Sequence, residues 1–64
     1  MIKINGKEIS AQGRTVAQLL TDEGYDISRI AVEMNGGILP KAQYGLTLLD
    51  EGDSLEVVSF VGGG

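Results

Sequence analysis

Ser54-Leu55-Glu56-Val57-Val58-Ser59-Phe60 is built from β-branched, aromatic and alternating apolar residues, the composition of a half-buried strand. With Leu55 and Val57 facing inward, alternation turns Glu56, Val58 and Phe60 outward. Asp50-Glu51-Gly52-Asp53 precedes the strand as a polar turn, and Val61-Gly62-Gly63-Gly64 follows it. How the rest of the chain can pair with this last strand decides the architecture.

At the other end, Met1 to Asn5 also alternates, with Ile2 and Ile4 on one face and Lys3 and Asn5 on the other. Asn5-Gly6 supplies the two positive-φ residues of a tight hairpin turn, and Lys7 to Ala11 returns with Ile9 inward. Thr15 is a helix N-cap, and Gln18 three residues later completes a capping box. Val16, Leu19 and Leu20 form one apolar stripe on a helix of about nine residues, which Gly24 closes. After a connection from Tyr25 to Arg29, Ile30, Val32 and Met34 alternate with Ala31, Glu33 and Asn35 as a second half-buried strand. Asn35-Gly36-Gly37 turns it into a short Ile38-Leu39 strand that Pro40 ends. Lys41 to Tyr44 reads as one helical turn, and Leu46 and Leu48 are expected to add to the core. This order predicts an α+β fold, a mixed sheet of about four to five strands with one main helix packed across one face. The first and last strands become central neighbours, an arrangement called a β-grasp. Residues 1–61 form the domain and 62–64 a flexible glycine tail.

Sixty-four residues with a net charge of −4 exclude several functions. A chain this short buries only about 60% of its unfolded surface, which leaves little room for a deep pocket. Without Cys there is no disulfide framework or thiolate; without His the commonest general base and metal ligand are gone. Ser10, Ser28, Ser54 and Ser59 therefore have no His to activate them. The acidic turn 50–53 lacks the ligand spacing of a calcium loop, and Asn35-Gly36-Gly37 lacks the Lys-Ser/Thr of a phosphate loop. Five scattered basic residues argue against a nucleic-acid partner. No apolar run approaches the roughly 20 residues of a membrane span, and no secretory signal precedes the first strand. A cytoplasmic protein without bound cofactor or metal is the expectation, and a stand-alone enzyme is disfavoured.

The glycine tail is the unusual feature. Without side chains, Gly62, Gly63 and Gly64 can thread a narrow channel in a partner enzyme. A terminal carboxylate on Gly64, with a reference pKa of about 3.3–3.7, is ionised at neutral pH. Such a carboxylate can attack the α-phosphate of ATP to give an acyl-adenylate, from which a sulfur nucleophile displaces AMP to leave a thiocarboxylate. All the catalytic groups then belong to partners. Beside the tail, Val58, Phe60 and Val61 are the candidate docking residues, because outward apolar side chains mark interaction sites.

Over essentially its whole length the chain resembles the thiamine-biosynthesis sulfur carriers, the ThiS family with its ubiquitin-like β-grasp. The resemblance rests on Ile4-Asn5-Gly6-Lys7, Thr15-Val16 with Leu19-Leu20, Ala31-Val32-Glu33-Met34-Asn35-Gly36, Leu39-Pro40 and Tyr44. It continues through Asp50-Glu51-Gly52-Asp53, Leu55-Glu56-Val57-Val58 and the Phe60-Val61-Gly62-Gly63-Gly64 ending. It implies that a ubiquitin-type activating enzyme (ThiF-like) uses ATP to adenylate Gly64. It further implies that a sulfur donor protein supplies the sulfur, and that a thiazole synthase (ThiG-like) takes it. Carriers for molybdopterin synthesis or tRNA thiolation share the diglycine end and remain alternatives. An unmodified ubiquitin-like binding module is the alternative from another class.

Overall fold

The structure, a computed structural model, describes residues 1–60. Strand β1 (Ile2–Ile4) pairs antiparallel with β2 (Lys7–Ile9), Ile2 facing Ile9 and Ile4 facing Lys7. The turn between them has φ of 51° at Asn5 and 82° at Gly6. Both angles are left-handed, as a two-residue hairpin that preserves strand twist requires.

Helix α1 (Val16–Asp22) carries both halves of the capping box. The Gln18 N–H donates to Thr15 Oγ1 at 3.1 Å, and the Thr15 N–H donates to Gln18 Oε1 at 2.9 Å. At seven residues, α1 is shorter than the nine or so expected. Its far end is fixed by a Schellman closure: Tyr25 N–H reaches Leu20 O at 2.9 Å and Gly24 N–H reaches Thr21 O at 3.1 Å. Gly24, at φ 85°, is the left-handed residue that closure demands. Thr15→Ala removes an N-cap acceptor. It should lower unfolding free energy by about 1 kcal/mol, read from a urea titration, with the far-UV spectrum unchanged.

Asp26 caps a single 3₁₀ turn, Ile27–Arg29, within the connection expected from Tyr25 to Arg29. Hydrogen bonds from the Ser28 hydroxyl and then its backbone N–H hold the Asp26 carboxyl below its usual range. Strand β3 (Ile30–Met34) turns at Asn35-Gly36 into β4 (Gly37–Leu39), and a second 3₁₀ turn, Lys41–Gln43, follows Pro40. Strand β5 (Ser54–Ser59) completes the sheet.

Among the described residues the sheet has five strands in the order β2-β1-β5-β3-β4. β5 lies parallel to β1 and antiparallel to β3, so the last strand is the central one, as the β-grasp arrangement requires. Its inward face supplies Ile2, Ile4, Ile30, Val32, Leu55 and Val57 to the core, and α1 supplies Val16, Leu19 and Leu20.

The segment after the second 3₁₀ turn corrects one expectation. Leu46 and Leu48 are 75% and 65% exposed, whereas Tyr44 and Leu49 are buried at 3% each. The cause is local geometry. Leu46 N–H closes back on Gln43 O at 3.0 Å, which spends Leu46 in a turn. Leu49 N–H then bonds Arg14 O at 2.8 Å, while Leu48 pairs with Thr15 across an isolated bridge. With Leu49 facing in, alternation sends Leu48 out.

Candidate functional site

Because β5 leads into the glycine tail, the site is built on it. Leu55 and Val57 are 0% and 8% exposed and anchor the strand from beneath. Val58 and Phe60 are 61% and 56% exposed on the opposite face, as expected from alternation. The ladder with β3 runs the length of β5, from Met34 opposite Leu55 to Ile30 opposite Ser59. One further bond, from Phe60 N–H to Arg29 O at 2.8 Å, carries the ladder to the last described residue.

The β1 side is finished differently. β1 ends at Ile4, and the side chain of Asn5 takes over as a ladder partner. Its Oδ1 accepts from Val57 N–H at 2.7 Å and its Nδ2 donates to Val57 O at 3.3 Å. Nδ2 also donates to the Tyr25 hydroxyl at 3.1 Å, tying β5 to the C-terminal end of α1. Asn35, in the other Asn-Gly turn, does the same at the start of β5. Its Oδ1 accepts from Ser54 N–H at 2.9 Å, and its Nδ2 donates to Asp53 Oδ1 at 3.1 Å. A primary amide offers one acceptor and two donors, so it can stand in for a missing peptide group.

The pairing register sets the outer face of the sheet. Ala31 stands opposite Val58, Glu33 opposite Glu56, and Ile38 opposite Glu33. Ile38 is 82% exposed and widens the apolar surface beyond Val58 and Phe60. Sequence reasoning missed it; the alternation of β4 against β3 would have found it once the register was known. The like-charged Glu33 and Glu56 take part in no ion pair among the described residues. Juxtaposition of this kind costs a few tenths of a kcal/mol up to about 1 kcal/mol. Val61, Gly62, Gly63 and Gly64, and with them the division between residues 1–61 and 62–64, lie outside the described residues.

Among the described residues no group of three His, Cys, Asp or Glu could hold a metal ion. A shallow depression runs along α1, lined by Arg14, Ala17, Gln18, Thr21 and Asp22. An ion pair between Arg14 and Asp22 at 2.6 Å lies within it, and neither residue is on the sheet's outer face. Among the described residues no helix is long and apolar enough to cross a membrane. What the described site offers is a rigidly held strand with an apolar and acidic outer face.

Comparison with known proteins gives consistent matches. The sequence model of the ThiS family matches residues 1–64. The thiazole synthase of Paramagnetospirillum magneticum (strain ATCC 700264 / AMB-1) is 44% identical over 62 residues, covering 95% of this chain and 19% of that protein. The thiazole synthase of Magnetococcus marinus is 39% identical over 64 residues, covering 98% of this chain and 20% of that protein. The chain thus spans about a fifth of the length of these curated relatives. Among solved structures, the crystal structure of a thiamine biosynthesis protein (ThiS) from Geobacter metallireducens superposes with a TM-score of 0.79 at 30% identity. It covers 98% of this chain and 97% of that one.

Proposed function

The chain belongs to the ThiS family, and from that premise we propose that it is a sulfur carrier in the making of the thiamine thiazole, with Gly64 as its working residue. The match of residues 1–64 to the family is the observation that carries this reading. With Gly64 as the carboxyl end of the carrier, a carboxylate oxygen attacks the α-phosphorus of ATP in an activating enzyme of the ubiquitin type, and pyrophosphate leaves. A hydrosulfide ion released by a donor protein then adds to the activated carbonyl carbon. AMP departs and a thiocarboxylate remains, whose sulfur passes to a thiazole synthase.

The composition supports assigning the catalytic groups to the partners. The chain holds no Cys or His, and ATP is the activating enzyme's substrate rather than a resident cofactor. The two thiazole synthase relatives favour the thiazole pathway over molybdopterin synthesis and tRNA thiolation. They also make a thiazole synthase the natural receiver. We place the reaction in the cytoplasm, where ATP is available.

Val58 and Phe60 dock the carrier, with Val61 as a further docking residue and Gly62, Gly63 and Gly64 threading the partner's channel. Phe60 is more than half exposed, so its loss should leave the fold intact. Phe60→Ala is expected to raise the KM of the activating enzyme for the carrier by about fivefold or more, as loss of an aromatic anchor does. Steady-state adenylation at subsaturating carrier measures this, and an unchanged rate would remove Phe60 from the docking surface.

The proposal as a whole is tested by incubating the protein with an activating enzyme, ATP and a sulfur source, then weighing it intact. Replacement of one oxygen by sulfur, mapped to Gly64, supports it. An unmodified mass alongside a demonstrably active enzyme would favour the unmodified binding module instead.

A further inference from the structure

We propose that Asn5 and Asn35 are latent deamidation sites whose reaction the fold suppresses by clamping both side chains onto β5. This inference does not depend on the carrier function. Each asparagine is followed by glycine, Gly6 and Gly36, whose backbone nitrogen no side chain shields. In an unrestrained chain that nitrogen attacks the asparagine Cγ and gives up its proton. The Cγ–Nδ2 bond breaks, ammonia leaves, and a cyclic imide forms. Water then opens the imide at either carbonyl, giving aspartate or isoaspartate. The balance is one water consumed and one ammonia released, with no oxidant or reductant.

The geometry of both turns opposes the first step. The Asn5 amide is held at both ends, Oδ1 by Val57 N–H at 2.7 Å and Nδ2 by Val57 O at 3.3 Å and the Tyr25 hydroxyl at 3.1 Å. Asn35 is held by Ser54 N–H at 2.9 Å and by Asp53 Oδ1 at 3.1 Å. An amide fixed against a neighbouring strand is not free to turn its carbon toward the following nitrogen. Attack therefore waits on local opening of the turn, which is the low-free-energy kind of fluctuation. Conversion would make the loss permanent. At Asn5 a carboxylate oxygen would replace the donor facing Val57 O, and at Asn35 it would face the carboxylate of Asp53. Either product weakens the hold on the strand that leads into the glycine tail.

The test incubates the full chain at mildly alkaline pH, folded in buffer and unfolded in concentrated urea, and follows both sites by peptide mass mapping. Both should convert in urea and do so at least about tenfold more slowly in the folded protein, the factor that about 1.4 kcal/mol of opening free energy supplies. Equal rates in the two states, or no conversion in urea, would overturn the proposal. Asp53→Ala, checked for folding by circular dichroism, separates local from global protection. Faster conversion at Asn35 with Asn5 unchanged supports the clamp. Equal acceleration at both sites would assign the protection to overall stability and refute it.

Discussion

Leu55→Ala is expected to unfold most of the protein. Leu55 is fully buried on the central strand, opposite Ile4 on one side and Met34 on the other. Removing it deletes packing on both flanks at once, and the neighbours are held by ladders that resist collapse into the space. Truncation of a buried leucine costs about 2–5 kcal/mol. A single core in a chain this short supplies only about 3–5 kcal/mol in total. Thermal unfolding followed by circular dichroism should show a largely unfolded baseline, or a midpoint lowered by well over ten degrees, roughly 4–8 °C being lost per kcal/mol. The matching control is Leu46→Ala. Since Leu46 is 75% exposed, the change should stay within about 0.5 kcal/mol. Comparable losses in the two variants would mean that the burial pattern of the 44–49 segment is wrong.

Deleting Gly63 and Gly64 is expected to have the largest effect on activity and almost none on stability. If Gly64 carries the reacting carboxylate, the shortened chain ends at Gly62 and its carboxyl group falls short of the ATP α-phosphate by two residues, up to about 7 Å of extended chain. Attack on the α-phosphorus tolerates far less, since a misplacement of about 1 Å can cost about a hundredfold. Adenylation measured as ATP–pyrophosphate exchange should fall to background, while the thermal midpoint stays that of the parent. Full exchange by the shortened protein would contradict the assignment of Gly64. A fallen midpoint would show the glycines to be part of the fold.

How far the sequence carries differs from element to element. Asn5-Gly6 and Asn35-Gly36 declared their hairpins because few residues other than glycine and asparagine accept φ near 50–90°. Thr15 and Gln18 declared the start of α1 because only that spacing lets each satisfy the other's backbone N–H. The alternation of Ile30, Val32 and Met34, and of Leu55 and Val57, marked the buried face, since one-residue slips would turn every apolar side chain outward.

The irregular 44–49 segment departs from its expected burial for a converse reason. Gln43 O closes a turn around Leu46, and a period-two pattern carries no meaning until the chain straightens beside Thr15. The 3₁₀ turn at Ile27–Arg29 had a cue in Asp26 and Ser28, two residues apart, which is the spacing of an Asx turn. For the site, the outward placement of Val58 and Phe60 followed from alternation alone. Ile38 and the opposition of Glu33 to Glu56 depend on which strands are neighbours, a long-range fact that no local pattern encodes. The second role of Asn5 and Asn35, as side-chain partners of β5, was hidden for the same reason.

Conversion of Gly64 to a thiocarboxylate is the step on which the proposed carrier role stands. Its most direct test is intact-mass spectrometry of the protein ending at Gly64 after incubation with a cognate activating enzyme, ATP and a sulfur source, with fragmentation to locate the change. The expected result is exchange of one oxygen for sulfur, confined to Gly64 and dependent on ATP. An unchanged mass, with the enzyme shown to be active on another carrier, would contradict it.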